Sequence, residues 1–139
     1  MEADAAALIL LMPAAAGDVT IAGSLARGGD PLMPALAPVS AMAALIERHG
    51  LSASSLGRVE LMEAYAAQAM ATIRRLGLDP ARVNPDGGAL ARGHPIGASG
   101  AVLAVRAAQA LREDPAGEPA LAAIAGAGGI ASALLLTRE

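Results

Sequence analysis

Apolar positions fall into short runs that glycine, proline and charged residues interrupt. Residues 5–12 form an unbroken apolar run stopped by Pro13, and residues 19–25 form a second after Gly17 and Asp18. Runs of this length bounded by turn residues predict two neighbouring strands. Residues 27–38 hold Gly28, Gly29 and three prolines, and predict a loop. Val39, Met42, Ala43 and Ile46 then repeat at helical spacing, which predicts a helix over 39–49 stopped by Gly50. After a linker at 52–57, residues 58–62 fit a short strand. Ala66, Ala69, Met70, Ile73 and Leu76 share one face of an amphipathic helix over 63–76, closed by Gly77. Val83 and Asn84 fit a very short strand, followed by the turn residues Pro85, Asp86, Gly87 and Gly88. A second clear helix is expected over 99–112. Residues 120–125 and 130–136 predict a last pair of strands joined at Gly126, Gly128 and Gly129.

The predicted order is ββαβαβαββ. Alternating strands and helices argue for an α/β layered domain spanning residues 1–139, with a mixed, largely parallel sheet of five to six strands and helices on its faces. The last two strands would be an antiparallel addition.

Composition narrows the picture. Of the 139 residues 55% are hydrophobic, but 37 are alanine and Tyr65 is the one aromatic. With charged residues at 17%, the chain is too apolar to be disordered. Its apolar atoms must lie between closely approaching backbones or against another protein surface. The absence of cysteine excludes a disulfide framework, a Cys-ligated metal and a cysteine nucleophile carried by this sequence. No metal site and no bound cofactor are expected.

The net charge is −3, and all ten basic residues are arginine. They are scattered apart from Arg74 and Arg75, with no stacking aromatics, which argues against a nucleic-acid partner. Residues 119–137 carry no charge over a length close to a membrane span, but three glycines in the middle favour two strands. The apolar start carries Glu2 and Asp4 and no base, the reverse of a signal peptide. The expectation is a cytoplasmic protein without a membrane partner.

The most informative segment is 87–100, with five glycines and Pro95 leading straight into a predicted helix. Such a loop can turn backbone N–H groups and a helix N-terminus toward an anion or a developing oxyanion. It lacks the Gly-Lys-Ser/Thr of a phosphate-binding P-loop and the Gly-x-Gly-x-x-Gly of a dinucleotide site. His94 lies in its middle. It is either a loop-holding histidine bonded to a backbone carbonyl, or a general base or oxyanion donor. His49, beside Gly50 at a helix end, reads as either a dipole-complementing or a solvated residue. The loose Gly-x-Gly-x-x-Ala at 126–131 has too little chain after it for the helix and strand of a nucleotide site, and reads as a tight turn.

The run Asn84-Pro85-Asp86-Gly87-Gly88-Ala89-Leu90-Ala91-Arg92-Gly93-His94-Pro95-Ile96-Gly97-Ala98-Ser99-Gly100 strongly resembles the signature of thiolases, roughly VNVNGGAIALGHPIGASG. Upstream, Glu60-Leu61-Met62-Glu63-Ala64-Tyr65-Ala66-Ala67-Gln68 looks like the family's E-x-N-E-A-F-A-A-Q, and Gly77-Leu78-Asp79-Pro80 matches GLDP. Residues 2–12 resemble the DGAAALVLMS stretch that opens the family's C-terminal half. The resemblance covers essentially the whole chain and implies the C-terminal half of a thiolase, without the N-terminal half and its loop domain.

The implied chemistry is reversible Claisen condensation or thiolytic cleavage of acyl-CoA. In the family, a Cys in the N-terminal half takes the acyl group and the GHP histidine activates it. The Asn of N-E-A-F holds an oxyanion water, and a second Cys, in C-x-G, moves the proton on the substrate α-carbon. His94 matches the histidine, with Gly93 and Gly97 as loop backbone. Met62 stands at the Asn position and Ala123 at the acid/base Cys. Ala125 stands at the C-x-G glycine, where its backbone N–H, with Gly126 next to it, would line an oxyanion hole.

Two functions follow from the resemblance. One is an acyltransferase half that acts on acyl-CoA, a CoA thioester being substrate rather than cofactor, with a partner supplying the nucleophilic Cys. The other is a non-catalytic thiolase-fold domain for assembly or regulation, or a truncated, degenerate thiolase. Both predict association, as a homodimer or with a separate thiolase N-terminal half, because a lone half would expose an apolar face.

Overall fold

The computed structural model describes residues 3–138. Strands β1 (Val19–Gly28), β2 (Arg58–Leu61), β3 (Ala120–Gly126) and β4 (Ile130–Arg138) form one sheet in the spatial order β1-β4-β3-β2. Helices α1 (Ala37–Arg48), α2 (Ala66–Leu76), the single turn α3 (Ala89–Arg92) and α4 (Ser99–Glu113) complete an α/β architecture.

The sheet has four strands rather than five or six, and the element order is βαβαααββ. Two expected strands account for the difference. Residues 5–12 join no ladder, and all but the half-buried Ala7 are exposed, Leu8 by 96% and Leu10 by 82%. An apolar run marks strand potential, but pairing is a tertiary matter: this segment docks on neither outer strand, β1 or β2, among the described residues. Glu2, at the start of that stretch, lies outside the described residues. Val83 makes only an isolated parallel bridge to Val59, because Asn84 next to it turns to φ +45°.

The sheet is not largely parallel either. β2 and β3 are parallel, whereas β4 is antiparallel to both β3 and β1. The hairpin at residues 127–129 folds β4 back beside β3, with Gly128 and Gly129 both at φ +83°. Only glycine takes that conformation without strain, so the uncharged stretch at 119–137 is a hairpin.

Alternation along the strands sorts the core into two layers. Val59, Leu61, Leu121, Ala123, Ala131, Ala133 and Leu135 pack with Ala41, Met42, Leu45 and Ile46 of α1. Ala120, Ala122, Leu136 and Met62 pack with Leu103, Ala107 and Leu111 of α4. Alanine on the strands lets α4 lie close to the sheet.

The helix faces differ from the apolar stripes expected. On α1 the buried positions are Ala37, Pro38, Ala41, Met42, Leu45 and Ile46, and Ala43 is exposed. Pro38 is tolerated because it sits in the first turn, where its missing N–H has no helical partner to lose. On α2, Ala66 and Met70 face solvent while Gln68 and Thr72 are buried. Gln68 accepts from the Ala64 N–H (3.2 Å), and the Thr72 hydroxyl donates to the Gln68 carbonyl (3.0 Å). These bonds satisfy the buried polar groups, while Ala69, Ile73 and Leu76 of the expected stripe do pack on the core. His49 caps the C-terminal end of α1, the place of the dipole-complementing alternative, and is half-buried with its ring against Gly23 at the bulge in β1; a Cβ there would lie 2.5 Å from Nε2.

Candidate functional site

β2 and β3 bring two of the singled-out positions together. Leu61 pairs with Ala123, and the next residue, Met62, donates its N–H to the Ala123 carbonyl at 2.8 Å. Their side chains leave on opposite faces, Met62 toward α4 and Ala123 toward α1, and both are buried. Neither can transfer a proton. Further along β3, Ala125 is half-buried opposite Ala131, and Gly126 pairs with Ile130. A Cβ on Gly126 would lie 2.8 Å from Ile130 Cγ2, so the end of the hairpin is tight against a side chain there.

The loop that carries His94 is fastened by Asn84 and Glu63, which the sequence places in a short strand, a turn or a motif without that role. The buried amide of Asn84 acts as a strand partner for Leu61: Oδ1 accepts from its N–H (2.8 Å) and Nδ2 donates to its carbonyl (2.8 Å). Nδ2 also donates to Glu63 Oε1 (2.7 Å), and Glu63 Oε2 accepts from the Leu90 N–H (3.0 Å). The carboxylate thereby spans from the end of β2 to α3. It fills the place of a Gly88 side chain, since a Cβ there would lie 2.2 Å from the carboxyl carbon. Asn84 has a recognisable signal, an asparagine before proline at a turn, but its reach back to β2 is a tertiary fact.

Gly93 then ends α3 at φ +91°, buried, and the chain turns into the histidine. His94 is half-buried, with Nδ1 2.7 Å from the Ser99 hydroxyl at the start of α4. The Ser99 hydroxyl also reaches the Pro95 carbonyl at 3.0 Å. His94 is therefore held by a side-chain hydroxyl, not by the backbone carbonyl that a loop-holding role predicted. Gly97 is exposed, and a Cβ there would meet nothing within 4 Å, so no local contact demands glycine.

A charge network lies on the α4 side of β2. Glu60, fully buried, accepts from Arg58 Nε (2.7 Å) and Arg106 Nε (2.9 Å). Arg58 also pairs with exposed Asp86, and Arg106 approaches it at 3.6 Å. The hydrogen bond from Arg58 and its charge hold the Asp86 carboxyl below its usual range, with Arg106 and Arg92 adding to the effect. Burial works to lower the Arg58 guanidinium, but its bonds to Asp86 and Glu60 outweigh that and raise it. A polar hollow of about 320 Å³ opens beside this network, and an apolar one of about 230 Å³ lies between α4 and the sheet, lined by Leu103, Ala122, Ala123 and Leu134. Among the described residues no group of three or more metal-ligating side chains converges, and no helix is long and apolar enough to cross a membrane.

Three comparisons place this geometry. The acetyl-CoA acetyltransferase of Pseudomonas aeruginosa is 41% identical over 98% of this chain and 36% of its own length. The Acat5 thiolase of Ascaris suum, solved in complex with coenzyme A, superposes with a TM-score of 0.80 at 36% identity, covering 88% of this chain and 31% of that one. The peroxisomal 3-ketoacyl-CoA thiolase of Saccharomyces cerevisiae, a five-layered structure built from two core domains of identical topology, gives 0.78 at 31% identity, covering 87% and 34%. The chain spans between 26% and 36% of the first curated relatives it matches. The family model described as "Thiolase, C-terminal domain" matches residues 17–138, leaving the unpaired segment 5–12 outside it, and the chain belongs to the thiolase family.

Proposed function

We propose that this chain is the C-terminal half of a thiolase-like acyltransferase, working in the cytoplasm on acyl-CoA with a partner segment or chain that carries the nucleophilic cysteine. The observation that carries the reading is His94, half-buried in its fastened loop, with Nδ1 engaged by Ser99. His94 takes the proton of the partner's thiol, and the thiolate attacks the thioester carbonyl. The new sulfur–acyl bond forms as the bond to CoA breaks, and the departing CoA thiolate takes up a proton. Backbone N–H groups near Ala125 and Gly126 would stabilise the oxyanion. With methyl at Ala123, no thiol at that position moves a proton on an α-carbon, so acyl transfer or hydrolysis is favoured over Claisen condensation.

Association is part of the proposal. Residues 8–12 are all at least half exposed, an apolar segment without a sheet neighbour, which supports pairing with a second copy or with a thiolase N-terminal half.

The test is co-expression with a thiolase N-terminal half, followed by intact mass after acetyl-CoA. An acyl adduct on the partner's cysteine is expected, with its formation slowed about 10²–10⁴-fold in His94→Ala. A co-purifying pair that forms no adduct overturns catalysis and leaves the second reading, a non-catalytic assembly or regulatory domain. That reading is favoured by one observation, the burial of Met62 and Ala123 as core side chains. A chain that stays monomeric at micromolar concentration in light scattering and captures no N-terminal half overturns both.

A further inference from the structure

We infer that Ser99 is a positioning residue that fixes His94 in the Nδ1–H tautomer and leaves Nε2 as the bare, basic nitrogen. A serine hydroxyl has one proton and two lone pairs. Ser99 Oγ has two close neighbours, the Pro95 carbonyl oxygen at 3.0 Å and His94 Nδ1 at 2.7 Å. The carbonyl can only accept. Without a proton between them, the two oxygens would face each other lone pair to lone pair at 3.0 Å in a part-buried site, a repulsive arrangement. The hydroxyl proton therefore lies toward Pro95, and Oγ turns a lone pair to the ring. Nδ1 must then carry the proton that fills the 2.7 Å gap. In neutral imidazole a protonated Nδ1 leaves Nε2 bare.

The geometry around Ser99 keeps the hydroxyl in place. Ser99 is 5% exposed, and its own N–H and that of Ala98 also donate to the Pro95 carbonyl, at 2.8 and 2.9 Å. The two backbone donors close the turn at 95–99 and hold Oγ within reach of both the carbonyl oxygen and the ring. This assigns a chemical task to the serine of the loop, which glycine geometry alone does not explain. The benefit to thiol activation rests on the function proposed above; the tautomer does not.

The experiment is long-range ¹H–¹⁵N spectroscopy of the ¹⁵N-histidine-labelled chain at pH 8. The sequence holds two histidines, and His49→Gln assigns the signals. The expected result is an unprotonated Nε2 on His94 in the unsubstituted chain. In Ser99→Ala, folded by its amide spectrum, the ring population shifts toward Nε2–H. A bare Nδ1 in the unsubstituted chain overturns the inference without any variant. A folded Ser99→Ala that keeps the Nδ1–H tautomer also overturns it. Either failure would leave acyl-adduct formation untouched, and a failed adduct test would leave the tautomer standing.

Discussion

The Met62 N–H donates to the Ala123 carbonyl at 2.8 Å, so the residue that follows β2 is tied to the neighbouring strand β3. The bond is between backbones and survives any substitution that keeps the strands together. What changes is packing. Met62→Asn removes a buried thioether chain and inserts an amide beside Leu103 and Ala122, which predicts a loss of about 2–5 kcal/mol. Ala123→Cys adds one buried atom against α1, with an expected cost of about 1–3 kcal/mol. Urea denaturation should rank Met62→Asn as the costlier. The opposite order would mean that Met62 has been misread as a core residue.

Glu63 and Gly88 occupy one space. Gly88→Ala drives a Cβ into the carboxylate and must break its bonds to Asn84 and Leu90, an expected loss of about 2–4 kcal/mol. Glu63→Ala removes the obstacle along with the bonds. The double variant should therefore be less destabilised than the sum of the singles, by about 0.5–3 kcal/mol. Strict additivity would show that the two residues do not contend for the same volume.

The hairpin, α4 and β2 were legible because each has a local cause: paired glycines, helical spacing, and Val59 and Leu61 alternating with Arg58 and Glu60. The 5–12 run shows the limit of that reading. Its composition is that of a strand, yet it pairs with no strand among the described residues, although β1 and β2 are the sheet's outer strands, and the C-terminal-domain match begins only at residue 17. Local pattern was also misleading on α2, where Gln68 and Thr72 are buried because their polar groups bond within the helix and its approach. At the site, the glycines and His94 were visible in the sequence. Asn84, Glu63 and Ser99 acquire their roles only through distances, two of them spanning more than twenty residues. Glu60 was read only as part of a motif, and its position between two arginines is set by the crossing of β2 under α4.

Glu60 is the centre of the charge network, wholly buried between arginines that are themselves 16% and 19% exposed. Glu60→Ala would strand both guanidinium groups with only exposed Asp86 near them. Removing one member of a buried ion pair costs about 3–5 kcal/mol, most of it the penalty of the charge left behind. A fall of that order in denaturation is expected. Replacing Arg106 by Met together with Glu60 by Leu should recover part of it, since matched apolar groups avoid the unpaired charge. If Glu60→Ala proved neutral, water or Asp86 must compensate fully, and the network would hold no stability.

Asp86 gives that network a pH dependence. Its folded carboxyl is held below the ordinary value of 3.8 by the Arg58 hydrogen bond and charge. A group with a lowered folded value binds fewer protons folded than unfolded, so stability rises with pH through this range. Its contribution is present in full above the unfolded value and is lost as pH falls through the lowered folded one. Asp86→Asn removes the charge at every pH. It should weaken the fold modestly at neutral pH, because the side chain is exposed and screened by solvent, and should match the unsubstituted chain once both are below the folded value. Urea midpoints across pH 2–7 should therefore converge at the acid end. Parallel curves, with the same gap at pH 2 as at pH 7, would show that Asp86 acts through shape and not through its charge.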